Sequence, residues 1–347
     1  MGRLTAWKWL SDQYATLPPI TDYAMDLTGK TVIVTGANTG VGLATAQHLA
    51  GMKPKRLILA CRNETKGRKA VETIRRETGH QAVETWSLNL ADFASIKRFV
   101  DRFEAEERHL DLLVENAAVV FTKYHETVDG WEESIQVNHL GPSLLALLLL
   151  PSLLKAPVSH PLPRLVIVAS EAHFFLRSVP EARSPRILEK LNDRDYFPES
   201  RSYISRLSFD DSASVMNVFF TRSLASRFDP PPDGQLTVTC VNPGFCKTEL
   251  NRDLPLYMVI IMFLASFFLA RTAKSGSRSV VWAALGGKPD EVHGRYTSRC
   301  RVEEENDLIL RKEGAEIEER LWNETIEVLS KIDARVKSIA ERYLNRR

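Results

Sequence analysis

With 347 residues, 44% apolar and 26% charged, the chain can bury the core of one elaborated α/β domain and needs no disulfide staples. Its 46 Lys and Arg stand against 44 Asp and Glu, a net charge of +2, which excludes the basic field that a nucleic-acid partner requires. The four cysteines, Cys61, Cys240, Cys246 and Cys300, lack CxxC or metal-ligand spacing and read as reduced thiols of a cytoplasmic protein that holds no metal.

Residues 1–26 mix Trp7, Lys8 and Trp9 with polar residues and the pair Pro18-Pro19. They contain no continuous apolar core of the kind a cleaved signal has, and read as an N-terminal extension to a domain spanning 27–347. Six strands are predicted at 31–35, 56–60, 83–88, 110–114, 165–169 and 236–241. TVIVT, RLILA and LVIVA are apolar on both faces, as parallel strands covered on both sides must be. Helices are predicted between them at 41–50, 65–79, 92–107, 130–155 and 213–228, and the Pro-rich stretch 156–163 reads as a surface loop. Strands alternating with helices give βαβ units and a doubly wound, Rossmann-type parallel sheet.

Beyond residue 250 the pattern changes. Segment 254–270 is apolar for 17 residues apart from Ser266, with Pro255 inside it and Arg252-Asp253 and Arg271 at its flanks. That length is the short limit for a spanning helix, so the segment reads as a buried or lid helix over an apolar pocket. Peripheral membrane contact through the same segment is the alternative. A helix at 272–286, a short strand at 294–297 and a charged helix at 313–344 complete the chain. In the last, Ile317, Leu321, Ile326, Leu329 and Ile332 form one apolar stripe.

The strongest motif is Thr35-Gly36-Ala37-Asn38-Thr39-Gly40-Val41-Gly42, directly after the first strand and opening the first helix of the sheet. Glycines at such a turn let backbone N–H groups approach a pyrophosphate seated on the positive end of the helix. A dinucleotide cofactor is therefore expected on Thr35, Gly36, Asn38, Gly40 and Gly42. At the end of the second strand an acid would bond ribose hydroxyls and repel a phosphate. Here the sequence is Ala60-Cys61-Arg62-Asn63, and Arg62 can pair with a 2′-phosphate, so NADP is expected rather than NAD.

The glycine spacing of TGANTGVG resembles that of the short-chain dehydrogenase/reductase superfamily, and further motifs follow in order over residues 27 to 335. Leu88-Asn89-Leu90 is similar to the Asp-Leu element, with Asn89 replacing an acid that contacts adenine. Asn116-Ala117-Ala118 is similar to the Asn-Ala-Gly motif, with Ala118 in place of glycine. Asn138 in QVNHLG and Ser170 in VASEAH match the catalytic asparagine and serine, and Asn242-Pro243-Gly244-Phe245 with Thr248 matches the turn that embraces the nicotinamide. The TVDGWEESIQVNHLG and SEAHF segments resemble the retinol-dehydrogenase-like branch as it occurs in fungal secondary metabolism. The resemblance implies a homodimer or higher assembly built through helices, with no residues fixing an interface.

The family carries a tyrosine and, four residues later, a lysine on the helix after the serine. This chain has no such pair. Two alignments compete. Counting forward from Leu191-Asn192-Asp193 puts Tyr203 at the tyrosine position and Leu207 at the lysine position, beside Arg206. Counting back from Asn217-Val218-Phe219-Phe220 puts Asp210 and Ser214 there instead. The counts differ by seven residues, so 207–213 (LSFDDSA) reads as an insertion. Asp210 and Asp211 otherwise read as capping acids opening a helix, and His139 and His173 as structural neighbours.

Three functions stay open. The first is an NADP-dependent carbonyl reductase or alcohol dehydrogenase for an apolar secondary metabolite. In it Ser170 polarises the carbonyl, Tyr203 is the acid, and Asn138 holds water and helix geometry. The second is a cofactor-binding protein without turnover. The third is a repurposed pocket that performs a cyclisation or isomerisation with Asp210 or Asp211.

Overall fold

Strands with two apolar faces must be sandwiched between helices, and the computed structural model has that layering. It describes residues 6–121, 123–159, 161–176, 178–197, 203–228, 235–246, 251–252 and 269–344. The strands are β1 (Thr31–Thr35), β2 (Arg56–Cys61), β3 (Val83–Ser87), β4 (Leu112–Glu115), β5 (Val120–Phe121), β6 (Arg164–Val168), β7 (Thr237–Asn242), β8 (Asn251–Arg252), β9 (Tyr296–Ser298) and β10 (Arg301–Val302). Eight of them form one sheet in the order β10-β9-β7-β6-β4-β1-β2-β3, parallel except for the β9–β10 pair. Ile33 lies between Ile58 and Leu113, and Leu165 between Leu113 and Val238. β5 and β8 make a separate parallel pair.

The chain runs outward from β1 through β2 to β3, then crosses back to β4 on the other side of β1. The crevice beyond the carboxyl ends of β1 and β4 is therefore the topological switch point where ligands bind in such sheets. On one face of the sheet lie α2 (Gly40–Gly51), α3 (Glu64–Thr78) and the helix Ala273–Val281. The other face carries α4 (Phe93–Glu106), the core helix Glu133–Leu154, the helix Tyr203–Ala225 and the C-terminal helix Lys312–Ile332.

Over Gly141–Leu154 the core helix is apolar all round, and Leu144, Leu145, Leu147, Leu148, Leu149 and Leu150 are all buried. A helix with no polar face belongs inside a core. It is long and apolar enough to cross a membrane, yet its side chains are buried against the sheet and neighbouring helices.

Several predicted boundaries move. The helix expected at 213–228 starts ten residues earlier, at Tyr203, and ends at Ala225. Asp210 and Asp211 therefore lie inside a helix, and the capping expectation is corrected. The helix expected at 313–344 breaks at Asp333, whose extended backbone (φ −145°) lets its side chain accept from Arg335 N and cap a new helix, Ala334–Ile339. In the C-terminal helix Thr325 and Val328 are buried while Ile326 is only half-buried. Thr248 and all but the last two residues of 254–270 lie outside the described residues. The ends of that excursion meet: Cys246 bridges Arg271, and Arg271 N donates to Phe245 O at 2.8 Å.

Candidate active site

The glycine loop packs too tightly for any other residue. Gly36 has φ +64°, and a Cβ there would lie 2.9 Å from Ala117 Cα. A Cβ on Gly42 would lie 2.4 Å from Asn116 Nδ2 and 2.5 Å from Gly36 O. These contacts press α2 against the end of β4. Thr35 completes the join: its Oγ1 accepts from Asn116 N at 2.9 Å and Ala117 N at 3.0 Å, while Asn116 Nδ2 donates to Thr35 O at 3.1 Å. Asn116 is thus engaged in closing β4 onto β1.

At the start of α2, Thr39 makes no side-chain cap bond and the first turn holds no acid. The helix dipole at that end is uncompensated from within the helix. Asn38 and Gly40 (φ +58°) lie in the same turn, partly exposed. These residues fit a dinucleotide pyrophosphate.

Arg62 follows β2 directly and is about half exposed, with Nη1 at 3.5 Å from Glu133 Oε1. Asn63 accepts from Lys66 N at 2.9 Å as the cap of α3, which fixes Arg62 in the turn just before that helix. Asn89 makes a local turn, its Oδ1 accepting from Ala91 N at 3.2 Å and its N–H donating to Ser95 Oγ at 3.0 Å.

The reaction end lies beyond β6 and β7. Ser170 stands two residues past β6 and just before the short helix Glu171–Phe175. His173 Nδ1 donates to Ser170 O at 2.6 Å, and Asn306 Nδ2 donates to His173 O at 2.6 Å and Leu176 O at 2.8 Å. Burial pulls the His173 imidazole down to about 4, so it is neutral near pH 7 and serves as a strut for the serine turn. His139 is pulled down to about 4 by the same cause and bonds Thr325 Oγ1 at 3.1 Å. Both histidines are buried and bonded within the fold.

Asn138 is buried in a π-turn, Gln136–Leu140, within the core helix. Its amide makes a pair of bonds to one residue, accepting from Val119 N at 2.8 Å and donating to Val119 O at 2.7 Å. This fixes the loop after Asn116-Ala117-Ala118. Gly244 N donates to Asn242 Oδ1 at 2.9 Å, which sets the Pro243-Gly244 turn.

Asn217 gives the register of the helix Tyr203–Ala225. Its Nδ2 lies 3.5 Å from Val168 O at the end of β6. Positions 203, 207, 210, 214 and 217 share one helical stripe, because steps of three and four residues stay on one face. Seven residues are about two turns, or about 10 Å of axis. The two competing alignments therefore fall on the same helical stripe, about two turns apart. Asp210 lies about two turns before Asn217, and Tyr203 about two turns before Asp210.

Two residues escaped the sequence reading. Glu171, beside Ser170, accepts from Trp9 Nε1 at 2.6 Å and Gln13 Nε2 at 3.0 Å through Oε1, and from Asn242 Nδ2 at 3.3 Å through Oε2. Burial raises its carboxyl against these three donors. An acid directly after an apolar strand was the available signal. Glu115, the last residue of β4, is buried with both carboxylate oxygens unbonded, and burial raises it well above the ordinary range. Among the described residues no group of three or more His, Cys, Asp or Glu could hold a metal ion.

Comparison with known proteins accords with this geometry. The short chain dehydrogenase family model matches residues 30–177. A short chain dehydrogenase/reductase, dmxR8, of Cryptosporiopsis sp. is 31% identical over 94% of this chain and 98% of its own length. Retinol dehydrogenase 12 of Homo sapiens is 35% identical over 88% of each chain. Among solved structures, an uncharacterized protein from Mycobacterium paratuberculosis matches 91% of this chain and 98% of its own at 27% identity and TM-score 0.65. L-sorbose reductase from Gluconobacter frateurii, solved with NADPH and L-sorbose, shares the fold at 16% identity and TM-score 0.57, covering 79% and 96%. The chain belongs to the short-chain dehydrogenase/reductase superfamily, whose members use NAD(P), and within it to the retinol-dehydrogenase-like branch.

Proposed function

We propose that this chain is an NADP-dependent oxidoreductase, a carbonyl reductase or alcohol dehydrogenase acting on an apolar small molecule of secondary metabolism. The observation that carries the reading is the cradle at the β1–β4 switch point. Gly36 and Gly42 leave no room for a Cβ, the start of α2 is uncapped by any side chain, and Arg62 stands at the end of β2. When bound, the nicotinamide supplies or accepts the hydride. Around it, Gly36, Asn38 and Gly40 would hold the pyrophosphate, Arg62 the 2′-phosphate, and Pro243, Gly244 and Thr248 the nicotinamide end. Ser170 would steady the carbonyl oxygen. Tyr203 is the proposed acid, and without a neighbouring lysine its phenol is a weak donor near pH 7. The apolar composition of 254–270 supports a hydrophobic substrate, such as a polyketide- or terpenoid-like ketone.

One observation favours a second reading, a non-redox step on the same fold. Asn217 at the end of β6 sets Asp210 and Ser214, not Tyr203, within two turns of the sheet end. The test is single-turnover oxidation of NADPH with a panel of apolar ketones, for the wild type, Tyr203→Phe and Asp210→Asn. Turnover that falls by about 10²–10⁴ in Tyr203→Phe supports the oxidoreductase with Tyr203 as acid. Product formed without cofactor and lost in Asp210→Asn supports the second reading.

A further inference from the structure

The N-terminal helix α1 (Ala6–Tyr14) is held against the reaction end of the site by contacts to segments far apart in sequence. Trp9 and Gln13 reach the Ser170 turn through Glu171. The Trp9 ring stands 6.3 Å from Phe245, next to the Pro243-Gly244 turn. Gln13 Oε1 is buried with no partner, 3.5 Å from where a Cβ on Gly244 would stand. The bond from Nε2 to the Glu171 carboxylate fixes which end of that amide faces the glycine. At the C-terminal end of the helix, Arg271 Nη2 donates to Asp12 O at 2.6 Å and Ala15 O at 3.0 Å, and Arg299 pairs with Asp12. A cation is favourable at that end of a helix.

The Glu171 carboxylate joins these segments. Its other oxygen accepts from Asn242, the same side chain that accepts from Gly244 N and donates to Ser298 Oγ at 3.3 Å. Shifting the carboxylate would shift Asn242 and with it the turn at Gly244. We propose that Glu171 is a positioning residue that latches α1 onto the Asn242–Phe245 turn and so sets the seat of the nicotinamide, while the adenosine end of the cleft is independent of it. This rests on the dinucleotide reading given above. A residue with only a structural role would affect both ends of the cofactor alike. A positioning role at one end does not.

The test measures the affinity of the full chain for NADPH and for 2′-phospho-ADP-ribose, which lacks the nicotinamide, with NADH and ADP-ribose as the unphosphorylated pair. Glu171→Gln puts an amide where a carboxylate received three donors. The expected result is about tenfold weaker NADPH binding, the order expected when a charge-assisted hydrogen bond is lost, with 2′-phospho-ADP-ribose changed less than about twofold. Trp9→Phe keeps a ring beside Phe245 and removes only the N–H donor. It is expected to show the same split at about threefold, and it serves if Glu171→Gln does not fold. Equal losses for both ligands, or none for either, overturn the latch. Failure of the wild type to bind either ligand overturns the dinucleotide reading itself and the latch with it.

Discussion

The unpartnered Glu115 gives the account a quantitative test that needs no substrate. Its side chain is buried at the end of β4 with neither oxygen hydrogen-bonded, and burial pushes its pKa well above the ordinary value of 4.5. The native state therefore keeps a proton that the unfolded chain releases above the carboxylate range. A folded-state pKa raised above the unfolded one means that stability is fully present below the unfolded pKa and lost as pH rises toward the folded one. The slope is about 1.4 kcal/mol per pH unit wherever the native state holds that proton and the unfolded chain has released it. Glu115→Gln keeps the shape and removes the titration. Above the ordinary carboxylate range its stability relative to the wild type should rise with pH at that slope. Urea titrations of both proteins at several pH values provide the assay. A difference that does not change with pH would mean that Glu115 is ionised in the native state, and the argument from its burial would be wrong.

Further predictions follow from the same geometry. Gly42→Ala pushes a methyl into Asn116 Nδ2 and Gly36 O, and should cost about 1–3 kcal/mol of stability and most of the dinucleotide affinity, read by melting with and without NADPH. Arg62→Ala should weaken NADPH about 10–100-fold and leave NADH within about twofold, as loss of a charge-assisted phosphate contact requires. Glu133→Gln, which frees Arg62 from its ion pair, should tighten NADPH modestly and leave NADH unchanged in the same titration. On the acid side, His139 and His173 are held neutral with pKa values near 4 against an ordinary 6.5. A depressed folded-state pKa gives stability that is present above 6.5 and lost as pH falls toward 4, up to about 3 kcal/mol for each histidine. The acid limb of the wild-type stability curve should fall across that window, and a flat limb would contradict the assignment.

The parallel core was legible because its strands are apolar on both faces. β1, β2 and β6 could be read from TVIVT, RLILA and LVIVA, and the glycine loop from its place between β1 and α2. The start of the helix at Tyr203 was not legible. LSFDDSA carries no apolar stripe, so the helix became visible only from the buried run at Val215–Phe220. The break at Asp333 depends on one residue leaving the helical region and capping its own successor, which periodicity does not register. The cofactor cradle could be read locally. The Glu171 latch could not, since its partners Trp9 and Gln13 lie 162 and 158 residues away. Glu115 was missed for a related reason: an acid ending a strand reads as polar, and only the packed structure reveals that no donor meets it.

The most direct test of the central claim is calorimetric titration of NADPH and NADH into the wild type and Arg62→Ala, paired with stopped-flow single turnover against an apolar ketone. The account predicts NADPH binding that weakens in Arg62→Ala, little change for NADH, and hydride transfer on mixing with ketone. No binding of either dinucleotide, or tight NADPH binding without hydride transfer to any ketone in the panel, would contradict the proposed oxidoreductase.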